Sequence, residues 1–115
     1  MYKTTSVITG TLLLLSITTG AYADSARTFK KKCGACHSIT VNGETIGKPA
    51  MGPDLTGISS KRPEGFVRMY IIDPNGARKK YSDVYQNEIK GKYKMKMPPV
   101  KLSDDVLDEL VDFMK

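Results

Sequence analysis

Two cysteines and one histidine are the whole thiol and imidazole content of this 115-residue chain. A single histidine excludes bis-histidine ligation of a metal within the chain. Three Cys/His side chains also fall one short of the four that a structural zinc site needs. Long apolar runs are missing as well. The longest, around residues 12–15, is soon interrupted by Ser, Thr and Gly, whereas a membrane-spanning helix needs about 20 predominantly apolar residues. Internal repeats, low-complexity tracts and a dividing linker are absent, so one small domain is expected. No nucleic-acid reading motif accompanies the basic composition.

What stands at the N-terminus has the anatomy of a secretory signal. Lys3 supplies a basic start, the short apolar stretch follows, and Ala21-Tyr22-Ala23 is a small-x-small cleavage pattern. Cleavage after Ala23 is expected, leaving residues 24–115 as the domain. The alternative is an uncleaved membrane anchor. Residues 1–23 contain no cysteine, which excludes a lipid-modified cysteine at the cleavage point. Export implies a periplasmic, oxidising setting.

Lys and Arg number 18 against 12 Asp and Glu, a net charge of +6, reduced by one if Lys3 leaves with the signal. Such a balance suits solubility, an anionic surface or an acidic protein partner.

The apolar pattern is helical and discontinuous. Residues 25–33 predict a short helix with Ala26, Phe29 and Cys33 on one stripe. The Gly- and Pro-bearing segment 38–60 shows no sustained period and reads as a long ordered loop, a feature that is usually functional in a compact domain. Pro63 suits the start of a middle helix and Pro74 its end, with Phe66, Val67, Met69, Tyr70, Ile71 and Ile72 as its buried face. A further short helix is expected over 83–89, capped by Ser82 and stopped by Gly91. The last segment is the clearest. Ser103 is an N-cap, Asp104 and Asp105 favour the positive end of the helix dipole, and Leu102 and Leu107 occupy hydrophobic-staple positions. Val106, Leu107, Leu110, Val111 and Met114 complete an apolar stripe. The fold class is all-α, three to five short helices with long loops. Helices this short are marginal alone, and a chain this small needs something else in its centre.

Residues 33–37, "CGACH", indicate what that is. Both cysteines and the histidine fall within five positions, and Cys-x-x-Cys-His is the attachment signal for c-type haem. Each thiol adds across a haem vinyl group to give a thioether, and the adjacent imidazole reaches the iron. Gly34 and Ala35 are small enough for the backbone to approach the porphyrin edge. A Cys-x-x-Cys redox pair normally accompanies a βαβ pattern, which is absent. A plain disulfide would leave His37 a coincidence.

The chain resembles a class I monohaem cytochrome c of the small bacterial kind. The similarity runs from the Phe29-bearing helix into "CGACH", through "GPDLTGI" at 52–58 and "KMPP" at 96–99, to the closing "LSDDVLDELVDFM" helix. The resemblance implies one haem c bound covalently through Cys33 and Cys36, His37 as proximal ligand with its Nδ1–H held by the carbonyl of Pro53, and Phe29 packed near Leu110 and Phe113. A second-shell acceptor for a ligating imidazole is also required on general grounds, because it fixes the tautomer.

The sixth ligand is sought among the methionines, since Met raises the potential of a His-ligated haem iron. Met69 and Met114 lie on apolar helical stripes, and Met51 sits too close to His37 on the proximal loop. Met95 and Met97 remain. Pro98 restricts the backbone of Met97, and the family pattern puts the ligand just before the proline. Met97 is therefore the expected ligand, with Met95 as alternative. Lys90, Lys92, Lys94 and Lys96 lead into this loop, as a solvated edge or as a rim steering acidic donor and acceptor proteins. Arg78-Lys79-Lys80, expected in a turn after "DPNG", would add to that rim. The function implied is a periplasmic electron carrier, not an enzyme, touching the membrane only through a partner complex or an uncleaved N-terminus. Alternatives are a haem subunit of a larger respiratory complex, or a gas-binding or peroxidatic haem protein with an open distal site.

Overall fold

A computed structural model describes residues 17–115. The greater part of the signal-like segment, and the apolar run within it, lies outside these residues. The first helix, α1, spans Ile17–Lys32 and runs without a break through Ala23 and Asp24. It is longer than the expected 25–33. Phe29 is fully buried and Cys33 nearly so. Near the other end, Tyr22 packs against Phe113 in a tilted pair with ring centroids 5.6 Å apart and donates its hydroxyl to the carbonyl of Val41. Three lysines in the last turn, Lys30, Lys31 and Lys32, suit its negative dipole end.

The segment read as loop from 38 to 60 begins with a hairpin. Strands β1 (Ser38–Val41) and β2 (Glu44–Gly47) pair antiparallel, Ile39 opposite Ile46 and Thr40 opposite Thr45. Asn42 and Gly43 turn between them, both with positive φ, 52° and 80°. Such a turn matches the twist of paired strands, and Asn-Gly is its preferred dipeptide. The two short strands sit beside an otherwise helical fold. Beyond them the loop resumes and ends in a one-turn helix, α2 (Ile58–Lys61).

Helix α3 (Phe66–Ile72) buries Phe66 and Ile71, whereas Ile72 is exposed. Pro74 does not close the helical region. It opens α4 (Pro74–Lys80), with Asp73 as N-cap accepting from the Gly76 amide at 3.1 Å. A proline lacks only an amide that the first turn leaves unpaired anyway, so the same residue that stops one helix can start the next. The expected helix over 83–89 is a short α5 (Ser82–Val84) followed by a π-turn, Tyr85–Ile89, closed by Lys90 N–H to the Tyr85 carbonyl. Ser82 is its first residue and not its cap; Gly91 has φ 81° just beyond. The described residues thus hold six α-helical segments, more than the three to five expected, because the middle of the chain is broken at Asp73-Pro74 and Tyr81.

Helix α6 (Asp104–Phe113) starts at Ser103, whose side chain accepts from Val106. Leu107, Leu110 and Met114 are buried against Phe29, Ile39 and Ile71, and Phe29 meets Phe113 at 6.2 Å. Its final carbonyls are not left bare: Ser59 donates its hydroxyl to Val111 and its amide to Met114. Arg68 of α3 reaches Asp104 and Asp108 on the outer side. The core therefore sits where α1, α3 and α6 meet, and the site lies along one flank of it.

Candidate cofactor site

The end of α1 places the motif. Cys33 and Gly34 amides both bond to the carbonyl of Phe29, and those of Cys36 and His37 to the carbonyl of Cys33. This tightened final turn brings Cys33, Cys36 and His37 onto the wall of one cavity. Gly34 is needed here for a reason other than closeness to a porphyrin. A Cβ on it would lie 2.7 Å from the Lys30 carbonyl.

The chain then folds back on the motif. Amides of Lys48, Ala50, Gly52 and Leu55 bond to carbonyls of Gly34, Cys36, Cys36 and Ser38. Two glycines permit the approach. Gly47 has φ 81°, and a Cβ there would stand 2.2 Å from the His37 carbonyl. A Cβ on Gly52 would stand 2.2 Å from Cε1 of the His37 ring. The returning loop thus lies directly against the imidazole, a closeness that sequence reasoning did not extract from the two glycines.

Against this surface, Nδ1 of His37 lies 2.9 Å from the carbonyl oxygen of Pro53. A carbonyl can only accept, so Nδ1 carries the proton and Nε2 keeps its lone pair. Burial lowers the pKa of His37, with the Pro53 bond opposing it. The neutral form that can ligate a metal is favoured. One residue on, Ser38 donates its hydroxyl to Asp54 at 2.6 Å, and Asp54 also accepts from the Thr56 amide at 3.0 Å.

The thiol of Cys33 is pushed up to about 11, first by burial and then by Cys36 beside it. A redox-active Cys-x-x-Cys needs a thiol whose pKa is lowered. The environment of Cys33 does the reverse.

The cavity measures about 390 Å³, within the range of small-molecule and cofactor sites. It is also bounded by residues of the 85–98 segment, including Tyr85, Ile89, Met95 and Met97. "KYKMKMPPV" is irregular and forms no strand. Its two methionines differ in setting. Met97 is half-buried and packs against the core, whereas Met95 is 58% exposed. Met114 is buried in the core, as its helical stripe suggests, and Met51 is exposed beside Gly52. Lys90, Lys92, Lys94 and Lys96 are all exposed.

The second basic cluster needs correction. It lies on α4 and not in a turn, and Arg78 does not join a surface rim. Arg78 lines the cavity, with its guanidinium carbon 5.4 Å from the Tyr70 ring and 5.7 Å from the Tyr85 ring. Only Lys79 and Lys80 face outward.

Short helices around a largely apolar cavity, with two thiols and a tautomer-fixed imidazole on one wall, define a c-type haem protein. The family model for cytochrome c matches residues 22–115, and the chain belongs to that family. The fold is the all-α cytochrome c fold, and the protein is a haem-binding electron-transfer protein. No curated protein and no solved structure matches the chain. The residues suit the cofactor that the family carries. Gly52 leaves the imidazole room to stand against the loop, and both thiols and the imidazole line the cavity.

Proposed function

We propose that the protein is an exported, periplasmic one-electron carrier with a single haem c held through Cys33 and Cys36 and ligated by His37 and Met97. When bound, the haem supplies the Fe(III)/Fe(II) couple. Cys33 and Cys36 would hold it through thioether links. The chain's own contribution is positional. Pro53 orients the imidazole so that Nε2 faces the cavity, the 48–55 loop keeps it there, and Pro98 limits the backbone range of Met97.

The observation that carries this reading is the His37–Pro53 bond of 2.9 Å. It commits the one imidazole of the chain, in its neutral form, to the tautomer that leaves the Nε2 lone pair free to ligate. For the sixth position, Met97 is favoured over Met95 by its partial burial beside the core, and by its carbonyl, which Arg78 holds at 3.4 Å.

A docking edge completes the proposal. Among the described residues no ion pair engages Lys90, Lys92, Lys94 or Lys96. They alternate in sequence with the exposed Tyr93 and Met95, which line the cavity together with Lys90 and Lys96. A small apolar centre within a charged rim suits a transient electron-transfer contact with acidic proteins.

Optical spectra of the oxidised protein test the ligand assignment. Wild type and Met95→Ala are expected to show the weak long-wavelength absorption of a methionine–ferric iron bond, and Met97→Ala to lack it. Loss of that band in Met95→Ala alone would reverse the choice of ligand. A wild-type protein that lacks the band and binds carbon monoxide readily in its reduced form would be a gas-binding protein and not a carrier.

A further inference from the structure

The start of α1 bears on where an exported chain is cut. Tyr22 lies one residue before Ala23, so hydrolysis after Ala23 would discard it with the leader. Yet Tyr22 takes part in the folded domain. Its ring pairs with Phe113 at 5.6 Å, and Phe113 in turn pairs at 6.2 Å with Phe29, which is fully buried in the core. Its hydroxyl donates to the carbonyl of Val41 at 3.3 Å. One side chain thus reaches both the last helix and the end of β1. Tyr22 is half-buried and Ser25, almost one turn on, is buried, whereas Ala23 between them is exposed. The family match also begins at residue 22 and not at residue 24.

We infer that the mature protein begins at Tyr22: the bond cut is Ala21–Tyr22, and Tyr22 clamps the new N-terminus onto α6 and the hairpin. The inference rests on the export reading above. Water gives its hydroxyl to the Ala21 carbonyl carbon and its hydrogen to the Tyr22 nitrogen, with a secretory signal peptidase as catalyst. Thr19-Gly20-Ala21 supplies residues of limited size at the two positions such a hydrolase reads. Residue size alone favours Ala21-Tyr22-Ala23, whose outer positions are both alanine. The contacts of Tyr22 reverse that preference. A cut after Ala23 removes a ring that covers Phe113 and a donor from Val41, and aromatic pairs stabilise beyond the apolar area they bury. A cut after Ala21 keeps both. It also brings Asp24 into the first turn of α1, which holds no acid when counted from Ile17. A carboxylate there suits the positive end of the helix dipole.

The test uses the full chain, expressed with its own leader and matured in cells. Fractionation comes first: protein confined to the cytoplasm sinks the export reading, whatever Tyr22 does. The first residue of the exported holoprotein is then read by peptide mass spectrometry. Tyr22 is expected. A chain that begins at Asp24, at any other residue, or with its leader intact overturns the inference. Ala23→Gln gives a second reading, because a larger side chain at this position blocks a cut after Ala23. Ala23 is exposed on a helix, so the fold should accept the change. The variant is expected to be cut at the same bond as wild type, and loss of processing overturns the inference. The clamp is tested by denaturant unfolding of forms whose first residue has been verified. Tyr22→Ala is expected to raise the unfolding equilibrium constant about tenfold. Tyr22→Phe, which keeps the ring pair and loses the hydroxyl bond, should raise it less. A Tyr22→Ala protein as stable as wild type overturns the clamp. If Tyr22→Ala is not recovered folded, Tyr22→Leu takes its place, and stability equal to wild type again overturns the clamp.

Discussion

The two walls of the cavity are built by opposite means. On the His37 side, three amides of the 48–55 loop bond back to the motif and a fourth to Ser38 beside it, and two glycines remove the atoms that would hold the segments apart. On the Met97 side, residues 91–96 are all exposed, the helix before them relaxes into a π-turn, and the segment is tied by Val100 and by Arg78. The first wall is positioned by the fold. The second is a strap held at its ends. A carrier that retains both ligands needs the histidine fixed outright, whereas the methionine side can loosen without unfolding the rest, as local stability is not uniform across a structure.

The most severe way to break the contrast is on the rigid wall. Replacing His37 by Ala removes the fixed ligand and leaves the Pro53 carbonyl unpartnered, so the methionine–iron band is expected to vanish together with the normal potential. Spectra of purified protein check this. Next comes Gly52→Ala. A Cβ within 2.2 Å of the imidazole forces the loop or the ring to move, with an expected loss of about 1–3 kcal/mol, read as a lower denaturant midpoint. An unchanged midpoint would mean that the proximal wall is as pliable as the distal one.

The strap should respond differently. Met97→Ala is expected to abolish the methionine–iron band and admit carbon monoxide or imidazole, yet to leave the packing of Phe29 against Leu110 intact, as near-ultraviolet circular dichroism would show. Smaller again is the effect of charge on its outer face. Converting Lys92 and Lys94 to Glu should slow association with an acidic redox protein by about tenfold at low salt, and the difference should fade as salt rises. A salt-independent rate would place the contact elsewhere on the surface.

Much of this was legible in the residues. The 33–37 motif, Phe29 on its stripe and the Ser103 cap depend on local spacing, which sequence displays directly. The hairpin was legible too, since Asn42-Gly43 between two apolar alternations is a turn signal, but the surrounding Gly and Pro content drew the whole of 38–60 into one loop. Pro74 closes the middle helix as expected, but it also opens α4, which a proline alone does not announce; Asp73, the N-cap before it, is the deciding residue. Arg78 was out of reach. Its sequence neighbours Lys79 and Lys80 are exposed, and only the packing of α4 against Tyr70 and Tyr85 turns one of three basic residues inward. The closeness of Gly47 and Gly52 to His37 is likewise a tertiary fact, since neither is adjacent to it in the chain.

The smallest effect sharpens the picture of the rigid wall, because it lies at that wall's edge. Asp54 is exposed, yet its pKa is lowered, chiefly by the Ser38 hydroxyl and then by Thr56, with Lys61 adding a weaker attraction. These partners exist only in the folded chain, so the folded protein prefers the ionised form more than the unfolded chain does. The resulting stabilisation is present above the ordinary aspartate value of about 3.9. It disappears as pH falls through the lower, folded value. Asp54→Asn should therefore be less stable than wild type near neutral pH, with the two unfolding curves converging in strong acid. Ser38→Ala should narrow the same gap from the other partner, and as Ser38 is buried where β1 leaves the motif, it should also loosen the loop against His37. Combining the two changes separates these contributions. If they add fully, Ser38 supports the wall independently of Asp54; if the double variant is no worse than Ser38→Ala alone, the hydroxyl–carboxylate bond is the means by which the edge of the rigid wall is held.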